Sequence, residues 1–200
     1  MMNYFLLILY WIIYYAIHSI LASTSLKVFF QKKWPEYFRY YRLSYSIFAT
    51  ISLGFLLYFQ YSFKSPVLIK SNLLKYLSVL FLIIPGFVIM LISIKKYFLL
   101  LSGVRSLFTP IPASELKVNG IHRFVRHPLY SGTILFVWGL FFFFPLLNNL
   151  ISVVLLSLYV LIGITFEEKK LKKEFGKNYE EYILKVPMLI PSFRNKNMKI

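Results

Sequence analysis

The sequence predicts an all-α integral membrane protein, with about five transmembrane helices followed by a C-terminal amphipathic helix. Three observations lead there. Hydrophobic residues make up 58% of the 200 and charged residues only 15%, against roughly a quarter charged in an average soluble domain. The apolar residues fall in blocks close to the ~20 that carry a helix across a bilayer. The Lys and Arg residues, which bring the net charge to +16, gather in the connections between those blocks. A strongly basic chain can serve nucleic acid or anionic lipid, and juxtamembrane clustering points to membrane lipid and away from nucleic acid. The absence of cysteine excludes disulfides, thiolate metal sites and a Cys nucleophile. Asp is absent too, and two of the seven acids sit side by side at Glu167 and Glu168.

The first apolar block covers residues 4–22. It lacks a basic n-region and is too long for the apolar core of a signal peptide, so a retained helix is expected. His18 lies inside it, either as a helix-end histidine bonded to a neighbour or as a polar group lining a pocket. Residues 27–42 mix Lys27, Lys32, Lys33, Arg39 and Arg42 with Trp34, Tyr37, Tyr40 and Tyr41. Snorkelling bases and aromatic belts of this kind sit at the headgroup level. A second span is expected over 43–61 and a third over 73–94, kinked at Pro85-Gly86. Residues 95–127 form a long basic connection interrupted by Pro110, Pro112, Asn119 and Gly120. The fourth span starts at Pro128, a residue suited to the first turn of a helix, and ends near Phe144-Pro145. A tight turn at Leu147-Asn148-Asn149 then leads to a fifth span over 150–166, antiparallel to the fourth. From Glu167 one amphipathic helix is expected to run to the residue before Pro187. Its apolar stripe is Leu171, Phe175, Tyr179, Tyr182, Ile183 and Val186.

Counting bases in each connection puts the N-terminus outside and the C-terminus in the cytosol. The whole chain reads as a single membrane domain. Residues 1–94 form a three-helix scaffold, 95–127 a cytosolic loop, and 128–200 a helical hairpin with the C-terminal region. Arg126-His127 and the Glu167-Glu168 pair then meet on the cytosolic side.

Those charged groups carry the chemistry. Ionisable residues at the ends of membrane helices are costly beside lipid and mark function. Arg126 and His127 precede a helix start, where free N–H groups and the positive dipole end favour an anion. Tyr130 is one turn further along the same face. The paired acids suit an amino group, ribose hydroxyls or a positive centre. Together they suit a zwitterion. The bland alternative is that Arg126 snorkels and the acids pair with nearby lysines. No GxGxxG or Walker-type loop occurs, and the five-residue spacing of His122 and His127 is off the helical metal-site spacing, so no metal is expected.

The run from Gly120 through His127-Pro128-Leu129-Tyr130 to Gly132, the pair Glu167-Glu168, the segment Glu174 to Tyr182, and Val186-Pro187 with Ile190-Pro191 together resemble the isoprenylcysteine carboxyl methyltransferase family. Membrane phospholipid methyltransferases belong to the same superfamily. The resemblance covers about residues 115–192. It implies an integral membrane methyltransferase dependent on S-adenosylmethionine, with the cofactor held in the C-terminal half. By resemblance, His127, Pro128, Leu129, Tyr130, Glu167, Glu168, Gly120 and Pro187 are cofactor-binding, and Arg126 and Glu168 are catalytic. The N-terminal half, with His18-Ser19 and Tyr41-Arg42-Leu-Ser-Tyr45, is similar to the bacterial branch of NnrU-like proteins and methanethiol S-methyltransferases. His18 and Arg42 are accordingly substrate-pocket candidates. The acceptor implied is a thiol, carboxylate or amine on a small or lipophilic molecule. A bacterial inner membrane is the expected location.

Two other classes fit parts of the pattern. Sterol-type reductases dependent on NADPH also carry an Arg-His-Pro-x-Tyr run and a Tyr…Val-Pro tail. A non-catalytic membrane protein would tolerate loss of Arg126 or Glu168.

Overall fold

A computed structural model of the chain describes residues 1–95, 116 and 118–191. Most of the basic connection expected at 95–127, with Arg105, Pro110 and Pro112, lies outside the described residues. The regular elements are helices: α1 (Met2–Ala22), α2 (Thr24–Lys33), α3 (Phe38–Tyr61), α4 (Asn72–Lys95), α5 (Pro128–Phe143), α6 (Leu147–Phe175) and α7 (Lys177–Lys185). Short 3-10 turns lie at Pro35–Tyr37 and Gly120–Arg123, and among the described residues β structure is limited to isolated bridging at Val67 and Leu146. The all-α membrane fold is as expected.

One length and two boundaries qualify the sequence reading. First, α1, α3, α4 and α6 are long and apolar enough to cross a bilayer, but α5 has 16 residues. At 1.5 Å per residue it reaches about 24 Å, short of a hydrocarbon core of ~30 Å. Second, Leu147-Asn148-Asn149 is the first turn of α6, not a connecting turn. The asparagines that looked like turn residues are buried inside a hydrogen-bond network. Third, the amphipathic helix expected from Glu167 to Val186 is two helices. α6 runs unbroken through the acids to Phe175, and Gly176, at φ 53°, turns the chain into α7. Glycine takes that backbone conformation without the Cβ penalty.

Contacts divide the chain into two compact units, and α6 begins in the first and continues into the second. In the first unit α1 packs against α3, with Tyr10 and Phe59 meeting edge-on at 4.9 Å. The Trp11 indole N–H donates to Ser152 Oγ at 2.7 Å, and Ser152 Oγ donates to Gln60 Oε1 at 2.6 Å. Gln60 Nε2 donates to Asn149 Oδ1 at 2.8 Å, and Asn148 Nδ2 donates to the Gln60 carbonyl at 2.8 Å. These side chains are buried, and each unmet polar group among lipid tails costs several kcal/mol. Partnering every one of them joins α1, α3 and the first turns of α6.

In the second unit α4 packs on α5 through glycines. A Cβ at Gly86 would stand 2.6 Å from the Phe136 backbone nitrogen, and one at Gly139 would stand 2.9 Å from that of Ile83. Close backbone approach at small residues is how helices associate inside a bilayer. The kink expected at Pro85-Gly86 takes the form of a π-helical turn over Val79–Ile83 just before the proline. Proline has no N–H for the preceding turn, and a wider turn absorbs the mismatch.

Candidate active site

The site is built in the second unit, where the start of α5 meets α6 and the segment after α7. Gly120 opens a 3-10 turn at φ 67°. His127 is the N-cap residue of α5, with Pro128 at its first turn. The segment following α7 is extended at Val186 and is tied to this start by main-chain bonds. Arg126 N–H donates to the Pro187 carbonyl at 2.9 Å, and His127 N–H to that of Met188 at 3.1 Å. Ser131 Oγ adds a third bond, donating to the Leu189 carbonyl at 2.7 Å. Residues 186–189 form a strap across the N-terminal end of α5.

Beneath the strap the charged side chains converge. Arg126 donates from Nε to Glu168 Oε1 at 2.8 Å, and its Nη2 lies 2.7 Å from the same oxygen. Arg126 Nη1 donates to the carbonyl of Ile183 at 3.3 Å and also to that of Val186. His127 Nε2 lies 3.2 Å from Glu168 Oε1, and its Nδ1 lies 3.9 Å from Glu167 Oε2. The imidazole therefore sits between both acids. The Tyr130 ring lies 5.7 Å from that of His127. The two acids differ in access: the Glu168 side chain is 18% exposed and the Glu167 side chain 42%. Leu129 is half-buried on the first turn of α5, its carbonyl accepting from Thr133 Oγ1 at 2.9 Å.

Behind the strap lies an apolar cluster of Tyr179, Tyr182 and Val186, against which Leu171, Phe175, Ile183, Leu116 and Val118 pack. The stripe read from the sequence is intact, although two helices carry it. The Tyr182 hydroxyl donates to the His122 carbonyl at 2.6 Å, and burial, reinforced by the neighbouring Tyr179, pushes its pKa up to about 12. Burial likewise pushes Tyr179 up to about 12. The Tyr179 hydroxyl is buried beside Arg126 without the geometry of a hydrogen bond to it.

Of the residues singled out by sequence, Arg126, His127, Tyr130, Glu167 and Glu168 thus come together, with Pro128, Leu129 and Pro187 at the site's margin. Gly120 shapes the turn leading in. Arg126 is not an open anion site here, because Glu168 and two carbonyls already occupy its guanidinium. His18 and Arg42 belong to the other compact unit. Sequence reading passed over Ser131 and Tyr179 as site residues. The position of Ser131, one helical turn after His127, is the signal that could have found it.

The phospholipid methyltransferase family matches residues 74–178 of the chain. Methanethiol S-methyltransferase of Crocosphaera subtropica is 28% identical over 189 residues, covering 90% of this chain and 71% of that protein. Methanethiol S-methyltransferase 2 of Bradyrhizobium diazoefficiens is 33% identical over 98 residues, 46% of this chain and 36% of that protein. Protein-S-isoprenylcysteine O-methyltransferase of Schizosaccharomyces pombe is 42% identical over 80 residues, 38% of this chain and 33% of that protein. No solved structure matches the chain.

Proposed function

The chain belongs to the phospholipid methyltransferase family and is a membrane methyltransferase, and we propose that its methyl donor is S-adenosylmethionine and its acceptor a small thiol. The reductase and non-catalytic readings are set aside, because the family and the relatives above are methyltransferases. One observation carries the donor assignment: two acids converge on a histidine at a helix start, with a tyrosine ring beside the imidazole and a buried tyrosine hydroxyl with an unmet hydrogen bond nearby.

This donor set fits a zwitterion with a positive sulfur. Glu167, the more exposed acid, receives an amino group or the cation. Glu168 Oε1 takes Arg126 and His127, which leaves Oε2 for a ribose hydroxyl or ammonium. The free N–H groups at the start of α5 receive a carboxylate. Gly120 and Pro187 shape the margins, and Pro128 and Leu129 set the wall from which Tyr130 projects. Arg126 and Glu168 act as a couple that fixes the geometry. When bound, S-adenosylmethionine supplies a methyl group on a positively charged sulfur, already activated toward a nucleophile. What remains for the protein is positioning in line and exclusion of water, which can account for many orders of magnitude. With no cysteine in the chain, the attacking sulfur is the acceptor's own. The thiol reading is supported by the relative that aligns over 90% of the chain, a methanethiol S-methyltransferase. The base count in the connections supports an outside N-terminus and a cytosolic site, in a bacterial inner membrane.

Calorimetric titration of detergent-purified protein with S-adenosylhomocysteine, beside NADPH, tests the donor. Binding of the former that is lost in Glu168→Gln is expected. Binding of NADPH alone overturns the assignment. Methanethiol, offered with labelled donor, is expected to yield labelled dimethyl sulfide; labelled phospholipid instead would shift the acceptor to an amine headgroup.

A further inference from the structure

In the first unit α1 and α3 leave a groove of about 260 Å³, lined by apolar side chains that include Ile13, Ile17, Ala49 and Leu56, with His18 near one end. It is open on its outer side, where Ile13, Phe48 and Phe55 are exposed. In a membrane-spanning helix pair that side faces lipid. The groove runs along α1 from Tyr10 to Leu21, a rise of about 16 Å. That is about half the ~30 Å hydrocarbon core, the depth of one leaflet.

The Leu21 end is basic. There the Tyr41 hydroxyl donates to the Leu21 carbonyl at 2.7 Å, and Lys27 Nζ donates to the Ala22 carbonyl at 2.6 Å. Lys27 also stands 5.8 Å from the centre of the Tyr45 ring. Arg42 follows Tyr41 on α3 and lies seven residues before Ala49, hence on the face that lines the groove. Its Nη1 is buried and has no hydrogen-bond partner among the described residues. A buried guanidinium N–H left unmet is costly. Lys32, Lys33 and Arg39 lie in the same stretch, where Glu36 is the sole acid.

We propose that this groove holds one acyl chain of an anionic phospholipid, with the headgroup phosphate on Arg42 and Lys27. The apolar trough matches a chain of one leaflet in length and chemistry. A phosphate oxygen supplies the acceptor that Arg42 Nη1 lacks, and charge-assisted bonds to phosphate are among the stronger hydrogen bonds. The surplus of bases selects an anionic over a zwitterionic headgroup. A groove open to the bilayer along its length meets phospholipid at the concentration of the membrane itself. This inference is independent of the methyl-donor site.

Native mass spectrometry of protein released from nanodiscs of equimolar phosphatidylglycerol and phosphatidylcholine tests it. Wild type is expected to retain one phosphatidylglycerol per chain. At least fivefold less is expected in Arg42→Gln, with retention restored in Arg42→Lys. The same loss is expected in Ala49→Phe, which fills the trough, and Ser52→Leu replaces that variant if it does not elute as a monodisperse species. Equal retention of both lipids, or undiminished phosphatidylglycerol in Arg42→Gln, overturns the headgroup assignment. Undiminished lipid in the filled-groove variants overturns the groove. Recovery of a free fatty acid or a non-lipid compound in place of the phospholipid overturns the occupant.

Discussion

Glu168 is the residue on which the site turns, because Arg126 and His127 both close on one of its oxygens. Glu168→Gln preserves volume and removes the charge. S-adenosylhomocysteine affinity is expected to fall at least tenfold by calorimetry, with methyl transfer abolished. Glu168→Ala goes further, since the Arg126 side chain is only 9% exposed and would be left unpaired. Breaking a buried pair from one side typically costs 3–5 kcal/mol, so about 3 kcal/mol of stability should be lost in thermal melts. Tyr182 gives a pH signature. Its hydroxyl is protonated in the folded state up to about 12, against ~10 in an unfolded chain. Its contribution is therefore complete below pH 10 and is lost as pH rises from there through about 12. Tyr182→Phe should show amide exchange in α7 at neutral pH that wild type shows only above pH 10. The charged members of this site were legible because acids are rare, seven in 200 residues, and because Arg126 and His127 stand at the start of an apolar span. Ser131 and Tyr179 were not, because serine and tyrosine are ordinary in membrane helices, and only the fold reveals that one holds the strap and the other has an unmet hydroxyl.

At the scale of elements, glycine decides how α4 meets α5. Gly86→Val would drive a side chain into the Phe136 backbone, neither partner having a flexible end to move. Such a variant should accumulate poorly and melt at least ten degrees lower, while Gly163→Ala, with nothing within 4 Å of its Cβ position, should be indistinguishable from wild type in the same assay. The helices themselves were readable from apolar runs of the right length. Their junctions were less so. Leu147-Asn148-Asn149 carries turn-type residues, yet Asn148 and Asn149 find partners in Gln60, and satisfied asparagines stay helical. The Glu167–Lys173 run looks like a polar tail, but Glu, Lys and Leu are good helix formers, so α6 continues until Gly176 stops it. Periodicity found the stripe on both sides of that glycine without seeing the break between them.

For the molecule as a whole, topology is the open expectation with a direct test. The chain contains no cysteine, so each single substitution creates one label. Cysteine at Asn3 should react with a membrane-impermeant maleimide in intact cells, and cysteine at Lys170 should react only after permeabilisation. The reverse pattern would invert the assignment and put the donor site on the wrong side for a cytosolic cofactor. Element types and their order followed from composition and spacing. The pairing of Arg126 with Glu168, 42 positions apart, followed only in outline, from the expectation that a helical hairpin returns the chain to one membrane face. Its atomic form, a guanidinium shared between an acid and the carbonyls of the strap, depends on backbone positions that side-chain patterns do not encode.

The strap over the start of α5 has a consequence for biosynthesis. Residues 126–131 are translated early, but their main-chain and hydroxyl partners at 187–189 come some sixty residues later. Until those residues emerge from the ribosome, the N-terminal end of α5 lacks these three bonds. Closure of that end thus waits on the synthesis of α6 and α7.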